Sequence, residues 1–413
     1  MTEGSTADVR RRTGSTVVLA GRFGPPWVFQ VLLVFLAGRI VSTAIFLTAA
    51  TRQGGSPWAG PSPGYGTFIN FWDSGWYERI FSEGYPPELP RDAAGVVVPN
   101  QWAFYPLYPV LVRALHALTG LGWGFLAPAV SLAAAAGASL VIYRLFRLVA
   151  GHRRALGGLA IVSLSPVAAV LQVPYAESLH LLLLAAALYL VAVGRYYAAM
   201  PVIALMCLAR PAGVPFAILI AVLSVHALWS ARRAVSDGAS RAAARRRLVP
   251  LLWLGGVSSV GAIAWPVIAW AVTGEVDAYV ATETAWRGEP LAPFVPWFAA
   301  PASAVGPLAG ALAVLALLLG TVGLFLTGTF RSLGLVLAAW SGAYVLYLAA
   351  FWDPQSSTWR ILLPLLPLAL ALSPSRPSRL SWLLLPVLVV LQFAWVDWLW
   401  AWTLTGRDGD YPP

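Results

Sequence analysis

The run WVFQVLLVFLAGRIVSTAIFLTAA at residues 27–50 decides what kind of chain this is. It is long enough to cross the hydrocarbon layer, which takes about 20 apolar residues. It is also longer than the ~7–15-residue core of a secretory signal peptide. The polar segment before it, residues 1–26, carries Arg10, Arg11, Arg12 and Arg22. An uncleaved first helix with a cytoplasmic N-terminus is therefore expected. The rest of the 413-residue chain repeats this chemistry, with 59% hydrophobic and 11% charged residues, against about 25% charged in a soluble domain. An all-α polytopic protein of the cell membrane follows, with about eleven crossings and the C-terminus outside. One transmembrane domain is expected over 27–404, with a short outer tail at 405–413.

The formal net charge of +10 is then a topological signal and not a nucleic-acid footprint. Its densest stretch, 231–247, holds Arg232, Arg233, Arg241, Arg245, Arg246 and Arg247 against one acid, Asp237, and reads as a cytoplasmic loop. The single cysteine, Cys207, excludes an intrachain disulfide and a Cys-based metal site. The four histidines are scattered with no HExxH spacing, so no metal site and no cofactor are expected. Arg39 stands near the middle of the first helix. At that depth it costs roughly 2.5–3.5 kcal/mol on insertion scales, so it must face a partner or a cavity.

Working outward from the first helix, residues 51–122 form the first extracytoplasmic loop. A Gly/Pro-rich start leads into Asn70-Phe71-Trp72-Asp73-Ser74-Gly75-Trp76-Tyr77-Glu78-Arg79-Ile80-Phe81-Ser82-Glu83-Gly84-Tyr85-Pro86. Trp76, Tyr77, Ile80 and Phe81 share one helical face, Glu78, Arg79, Ser82 and Glu83 take the other, and Gly84 supplies a stop. That is an amphipathic helix lying in the interface. The stretch from Gln101 through Trp102 and Tyr105 to about Leu118 is too short to span and predicts a second interfacial or re-entrant helix.

Further on, Pro174-Tyr175-Ala176-Glu177-Ser178 precedes an apolar segment at 177–193. Ala209-Arg210-Pro211-Ala212-Gly213 interrupts the apolar block 198–230 and predicts two short helices in its place, because Pro and Gly break the ladder there. Residues 274–302 read as a loop carrying Glu275, Asp277, Glu283, Arg287 and Glu289, and Phe351 to Arg360 as the last outer loop.

Asp73, Glu177, Arg210 and Arg360 thus all fall at helix ends on the outer face. A carboxylate with arginines suits deprotonation of a hydroxyl and stabilisation of a departing phosphate, which Arg meets with a bidentate fork. Each residue also has a plainer use: Asp73 as an N-cap, Glu177 as a helix anchor, Arg210 on freed carbonyls, Arg360 snorkelling. Most of the 20 tryptophans suit an interfacial belt, with Asp397 among them as a structural charge. The second Phe-Trp-Asp, at 351–353, reads as coincidence, and Asp408-Gly409-Asp410 is a weak metal signature at a chain end.

Trp72-Asp73-Ser74, Glu83-Gly84-Tyr85 and Trp102-Ala103-Phe104-Tyr105-Pro106-Leu107-Tyr108-Pro109 together resemble the first luminal loop of the PIG-V family. That family comprises the second GPI mannosyltransferase and its bacterial relatives. Pro174-Tyr175-Ala176-Glu177-Ser178 resembles its PYSES-type motif. Ala209-Arg210-Pro211-Ala212-Gly213 resembles its Arg-Ser-Asn-Gly motif, with Ala212 where Asn is usual. The resemblance covers roughly residues 27–215. It implies a GT-C-type transmembrane bundle and an inverting transfer of mannose, with a polyprenyl-phosphate sugar as co-substrate and a lipid or glycolipid as acceptor. Asp73 would be the base, and Arg210, Arg360 or Arg79 would hold the phosphate. Glu177 and Tyr175 would contact substrate, and Trp72, Trp76, Trp102 and Tyr105 would stack on sugar or guide lipid. A transporter or flippase with Arg39, Glu177 and Asp397 along one polar path is the rival reading, and a membrane-anchored assembly factor is the third.

Overall fold

The computed structural model describes residues 27–233, 238–288, 292–352, 354, 356–374 and 379–402. Residues 1–26, Asp237, Glu289, Asp353 and the tail with Asp408-Gly409-Asp410 lie outside the described residues. Helices of ten or more residues are numbered in chain order. They begin with α1 (Trp27–Arg52), α2 (Asp73–Glu83), α3 (Leu107–Thr119), α4 (Trp123–Arg147) and α5 (His152–Leu164). Next come α6 (Glu177–Ala192), α7 (Tyr196–Ala209), α8 (Gly213–Arg233), α9 (Gly238–Thr273) and α10 (Ala278–Arg287). The last are α11 (Pro296–Val305), α12 (Pro307–Leu326), α13 (Gly334–Phe351) and α14 (Arg379–Trp395).

The all-α polytopic class read from composition is what the fold shows. Among the described residues seven helices are long and apolar enough to cross a membrane: α1, α4, α8, the Leu248–Thr273 part of α9, α12, α13 and Leu383–Trp400. Four shorter apolar helices, Leu107–Thr119, Glu177–Ala192, Tyr196–Ala209 and Leu363–Leu372, lie among them. The stretch 152–172 is too broken to be one spanning helix: it holds the thirteen residues of α5 and a 3-10 turn, Ala168–Gln172. Pro166 follows directly on Ser165, the C-cap of α5, and a proline cannot continue the ladder. Helices α7 and α8 meet at the predicted break at Arg210-Pro211, but only α7 is short: α8 has 21 residues and is long enough to span.

The break after α5 explains Arg39. Its guanidinium donates to the Ala168 carbonyl at 2.6 Å, the Ser163 carbonyl at 3.0 Å and Gln172 Oε1 at 3.3 Å. Backbone oxygens freed in the apolar interior thus receive a cation's hydrogen bonds. Gln392 of α14 joins the same seam, donating to the Ser165 carbonyl at 2.9 Å and accepting from Ser42 at 3.0 Å. Close approach of α1 to α5 depends on Gly38, where a Cβ would lie 2.7 Å from the Ser163 carbonyl oxygen.

Two expectations need correction. The stretch 274–302 is not a loop: it contains α10 and α11, and α10 closes on Gly288 with φ 75°. Most of 231–247 is helical too, because α8 runs to Arg233 and α9 starts at Gly238.

The first loop is tied down along its length. Arg113 of α3 caps α2 by donating to the Ile80 and Phe81 carbonyls at 2.8 and 2.5 Å. The Trp265 indole of α9 donates to the Trp102 carbonyl at 2.9 Å, and Asn100 reaches Thr282 of α10 at 3.1 Å. Arg91 pairs with Glu275 at the α9–α10 turn. We expect Gly38→Val to lower the thermal unfolding midpoint in detergent, since overpacking costs about 1–3 kcal/mol. In α9, Gly256→Ala should hold or raise it: a Cβ there meets nothing within 4 Å, and Ala favours helix by about 1 kcal/mol.

Candidate active site

Helix α2 begins at Asp73 because the chain turns sharply at Trp72, which sits at φ 60° and ψ −124°. A non-glycine residue held there stores of order 1–3 kcal/mol, and the surroundings enforce it. The Trp72 indole donates to the Trp400 carbonyl at 2.7 Å, and the Asp73 amide donates to the Tyr175 hydroxyl at 3.0 Å. Trp72 makes no side-chain cap, and Asp73 is the first helical residue rather than the N-cap. The carboxylate of Asp73 is spent elsewhere.

It faces Arg360, whose Nη1 lies 2.6 Å from Asp73 Oδ2 and 3.2 Å from Glu177 Oε1. The same Glu177 oxygen also pairs with Arg210. Four charges therefore alternate in one file, Asp73–Arg360–Glu177–Arg210. Glu177 opens α6, where the helix dipole favours an acid, and its side chain is 3% exposed. Arg210 is the extended C-cap at the Pro-Gly break and the more open cation, at 25%.

Arg360 lies on a single helical turn, Thr358–Ile361. The turn is anchored by the Tyr344 hydroxyl on the Ile361 carbonyl at 2.8 Å and by the Trp352 indole on Thr358 at 2.9 Å. The Arg360 guanidinium also stacks 5.2 Å from the centre of the Tyr175 ring. Burial alone would lower its pKa, but Asp73 and then Glu177 outweigh that and hold it well above its ordinary value. Two polar atoms at the file's core, Glu177 Oε2 and Arg360 Nε, have no hydrogen-bond partner among the described residues.

All four charges line a cavity of about 260 Å³, roofed by α10 and the end of α13. Of the expected contacts, Asp73, Glu177, Arg210, Arg360 and Tyr105 line it. Tyr175 lies beneath the file, fully buried, and positions Asp73. Trp76 stands one layer back, stacked on Phe104 at 5.9 Å and edge-on to Trp286 at 5.2 Å. The structure does not bring Trp72, Trp102 or Arg79 to the cavity wall. Trp102 is 1% exposed and packed on Tyr85 and Trp265, with its indole on the Pro86 carbonyl at 3.1 Å. Arg79 pairs with Glu83 at 2.9 Å on the open side of α2, 53% exposed. Its place one turn along an amphipathic helix from Glu83 was legible as an i,i+4 surface pair.

Sequence reasoning passed over the opposite wall. Tyr279, Glu283, Trp286 and Arg287 of α10 line the cavity, as do Tyr344, Tyr347 and Trp352. The signal was present: positions i, i+4, i+7 and i+8 share one face of a helix. Among the described residues no group of three or more His, Cys, Asp or Glu side chains is arranged to hold a metal ion. The site can hold a carboxylate base beside fixed cations, within aromatic walls.

No protein-family model matches the chain, and no curated protein matches it. Among solved structures it is similar to ArnT from Cupriavidus metallidurans bound to undecaprenyl phosphate, at 15% identity and a TM-score of 0.48. That match covers 86% of this chain and 62% of the other. It is also similar to the Archaeoglobus fulgidus oligosaccharyltransferase tethered with an acceptor peptide containing the NVT sequon, at 13% identity and a TM-score of 0.46. There the match covers 91% of this chain and 56% of the other. The chain thus spans less than two thirds of the length of either structure.

Burial raises the Glu283 pKa, and Arg287 offsets only part of that. A raised folded pKa means the carboxyl contributes stability at low pH that is lost as pH rises through that value. Glu283→Gln should therefore melt like wild type below the ordinary carboxyl range of about 4.3. Its advantage over wild type should grow toward neutral pH, read by thermal unfolding at a series of pH values.

Proposed function

We propose that the chain is an integral-membrane glycosyltransferase of the GT-C type that moves a sugar from a polyprenyl phosphate to a lipid or glycolipid hydroxyl, with inversion. The observation that carries this reading is the file Asp73–Arg360–Glu177–Arg210 on one cavity wall. An acceptor hydroxyl attacks the anomeric carbon from the face opposite the phosphate. The new C–O bond forms as the bond to phosphate breaks, the proton passes to the Asp73 carboxylate, and the electron pair leaves on the lipid phosphate. Arg210, the more open cation, meets the phosphate, while Arg360 keeps the Asp73 carboxylate aimed and Glu177 orients sugar hydroxyls. The PIG-V resemblance of the loops at 72–85, 102–109 and 174–178 supports mannose as the sugar. The Arg-rich segments, read as cytoplasmic, support a cavity on the extracytoplasmic side.

The transporter alternative asks Arg39, Glu177 and Asp397 to form one path. Each instead ends in its own contact: Arg39 on backbone carbonyls, Glu177 in the ion file, Asp397 on Arg52 at 2.6 Å. A positioned general base is worth about 10²–10⁴ in rate. Asp73→Asn should therefore cut transfer of radiolabel from polyprenyl-phosphate mannose into a membrane lipid extract by about that factor. Persistent transfer by this variant would remove Asp73 from the chemistry.

A further inference from the structure

A second, smaller cavity of about 180 Å³ adjoins the first. The two share Tyr105, Pro211, Tyr279, Glu283, Arg287, Tyr347 and Phe351 as a common wall. Its remaining lining is chiefly apolar, with Val214, Ala262 and Val280 from the starts of α8 and α10 and from α9. Val214 is 36% exposed and Val280 49%, so this end opens sideways along the helices. Both α8 and α9 belong to the set long enough to cross a membrane, so the opening gives onto lipid chains.

The polar chemistry of the common wall differs from that of the catalytic file. Its one cation, Arg287, lies 3.9 Å from its one acid, Glu283, a loose pair that cancels in charge. A phosphate placed there would meet Glu283 at close range, and like charges at such distances repel strongly in a low-dielectric site. Around the pair stand the hydroxyls of Tyr105, Tyr279, Thr284 and Tyr347. Burial pushes the Tyr105 and Tyr279 phenols up, so they remain O–H donors at neutral pH. A carboxylate that accepts, a guanidinium that donates, hydroxyls that do both, and flat aromatic faces match a ring of vicinal hydroxyls with apolar C–H faces.

We infer that this second cavity is the acceptor subsite, and that it takes a neutral polyhydroxylated ring, a hexose or a cyclitol, carried on a lipid chain that leaves between α8 and α10. The inference rests on the glycosyl-transfer reading and names its acceptor class. Glu283 and Arg287 grip hydroxyls of the ring, and the hydroxyl that points into the larger cavity is the one Asp73 deprotonates.

The test uses full-length protein in lipid nanodiscs. Equilibrium binding of dodecyl mannoside, methyl mannoside and dodecyl phosphate is followed by tryptophan fluorescence, since Trp286 lines the adjoining larger cavity beside Arg287. Transfer from polyprenyl-phosphate mannose to dodecyl mannoside is assayed in parallel. Wild type should bind dodecyl mannoside more tightly than either other probe. Glu283→Gln and Arg287→Gln should each weaken that binding about tenfold or more and raise the acceptor KM alike, with the donor KM within about twofold. Val280→Trp, which narrows the apolar arm, should abolish the preference for dodecyl over methyl mannoside. Unchanged binding in both polar variants, tighter binding of dodecyl phosphate, or a rise confined to the donor KM would overturn the inference. Release of mannose from the donor to water, assayed without acceptor, reports the transferase reading separately. Binding as expected with no release and no transfer would sink that reading and leave the polyol site standing.

Discussion

One guanidinium holds this site together. Arg360 is shared between Asp73 and Glu177, which come from the first loop and from the start of α6, while Arg360 itself sits near the end of the chain. Removing one member of a buried ion set leaves an uncompensated charge and costs about 3–5 kcal/mol, so the three segments are bound to one geometry. The anchors of the Arg360 turn, Tyr344 and Trp352, extend that dependence into α13. Integrity of the charge file and correct docking of the C-terminal part thereby become the same structural condition.

A polar file of this kind survives among apolar helices because each charge has a neighbour of opposite sign and the ends touch a cavity. The neighbouring wall is built on the same principle at lower intensity. Glu283 and Arg287 stand farther apart than the pairs of the charge file, and looseness leaves both with hydrogen-bonding capacity to spare. Aromatic rings complete the enclosure. Several conspicuous tryptophans serve as mortar, because a buried indole N–H must find an acceptor: Trp72 on Trp400, Trp102 on Pro86, Trp265 on Trp102.

Much of this was legible in the chain. The apolar runs announced the helical membrane class, the Arg210-Pro211 break fell where α7 meets α8, and the ends of the charge file were conspicuous because charge is scarce here. What escaped the reading escaped for physical reasons. Trp102 looked like a sugar platform, but aromatic content alone does not say which ring is covered by a helix more than 150 positions away. The acids of 274–302 looked like a solvated loop because charge outweighed their helical spacing. The break after α5 was hidden because the oxygens it frees are satisfied by Arg39, from a helix far earlier in the chain.

That last arrangement has a consequence for biosynthesis. Helix α1 leaves the ribosome carrying Arg39 before the segment it packs on is made, and the backbone oxygens that receive it lie 124 and 129 residues later. Until those oxygens are made, the first helix must wait at the translocon or the lipid boundary with a cation that no neighbour yet accepts. The seam of α1, α5 and α14 closes only when Gln392 arrives. The order of synthesis is thus written into the fold as a delay between insertion and packing.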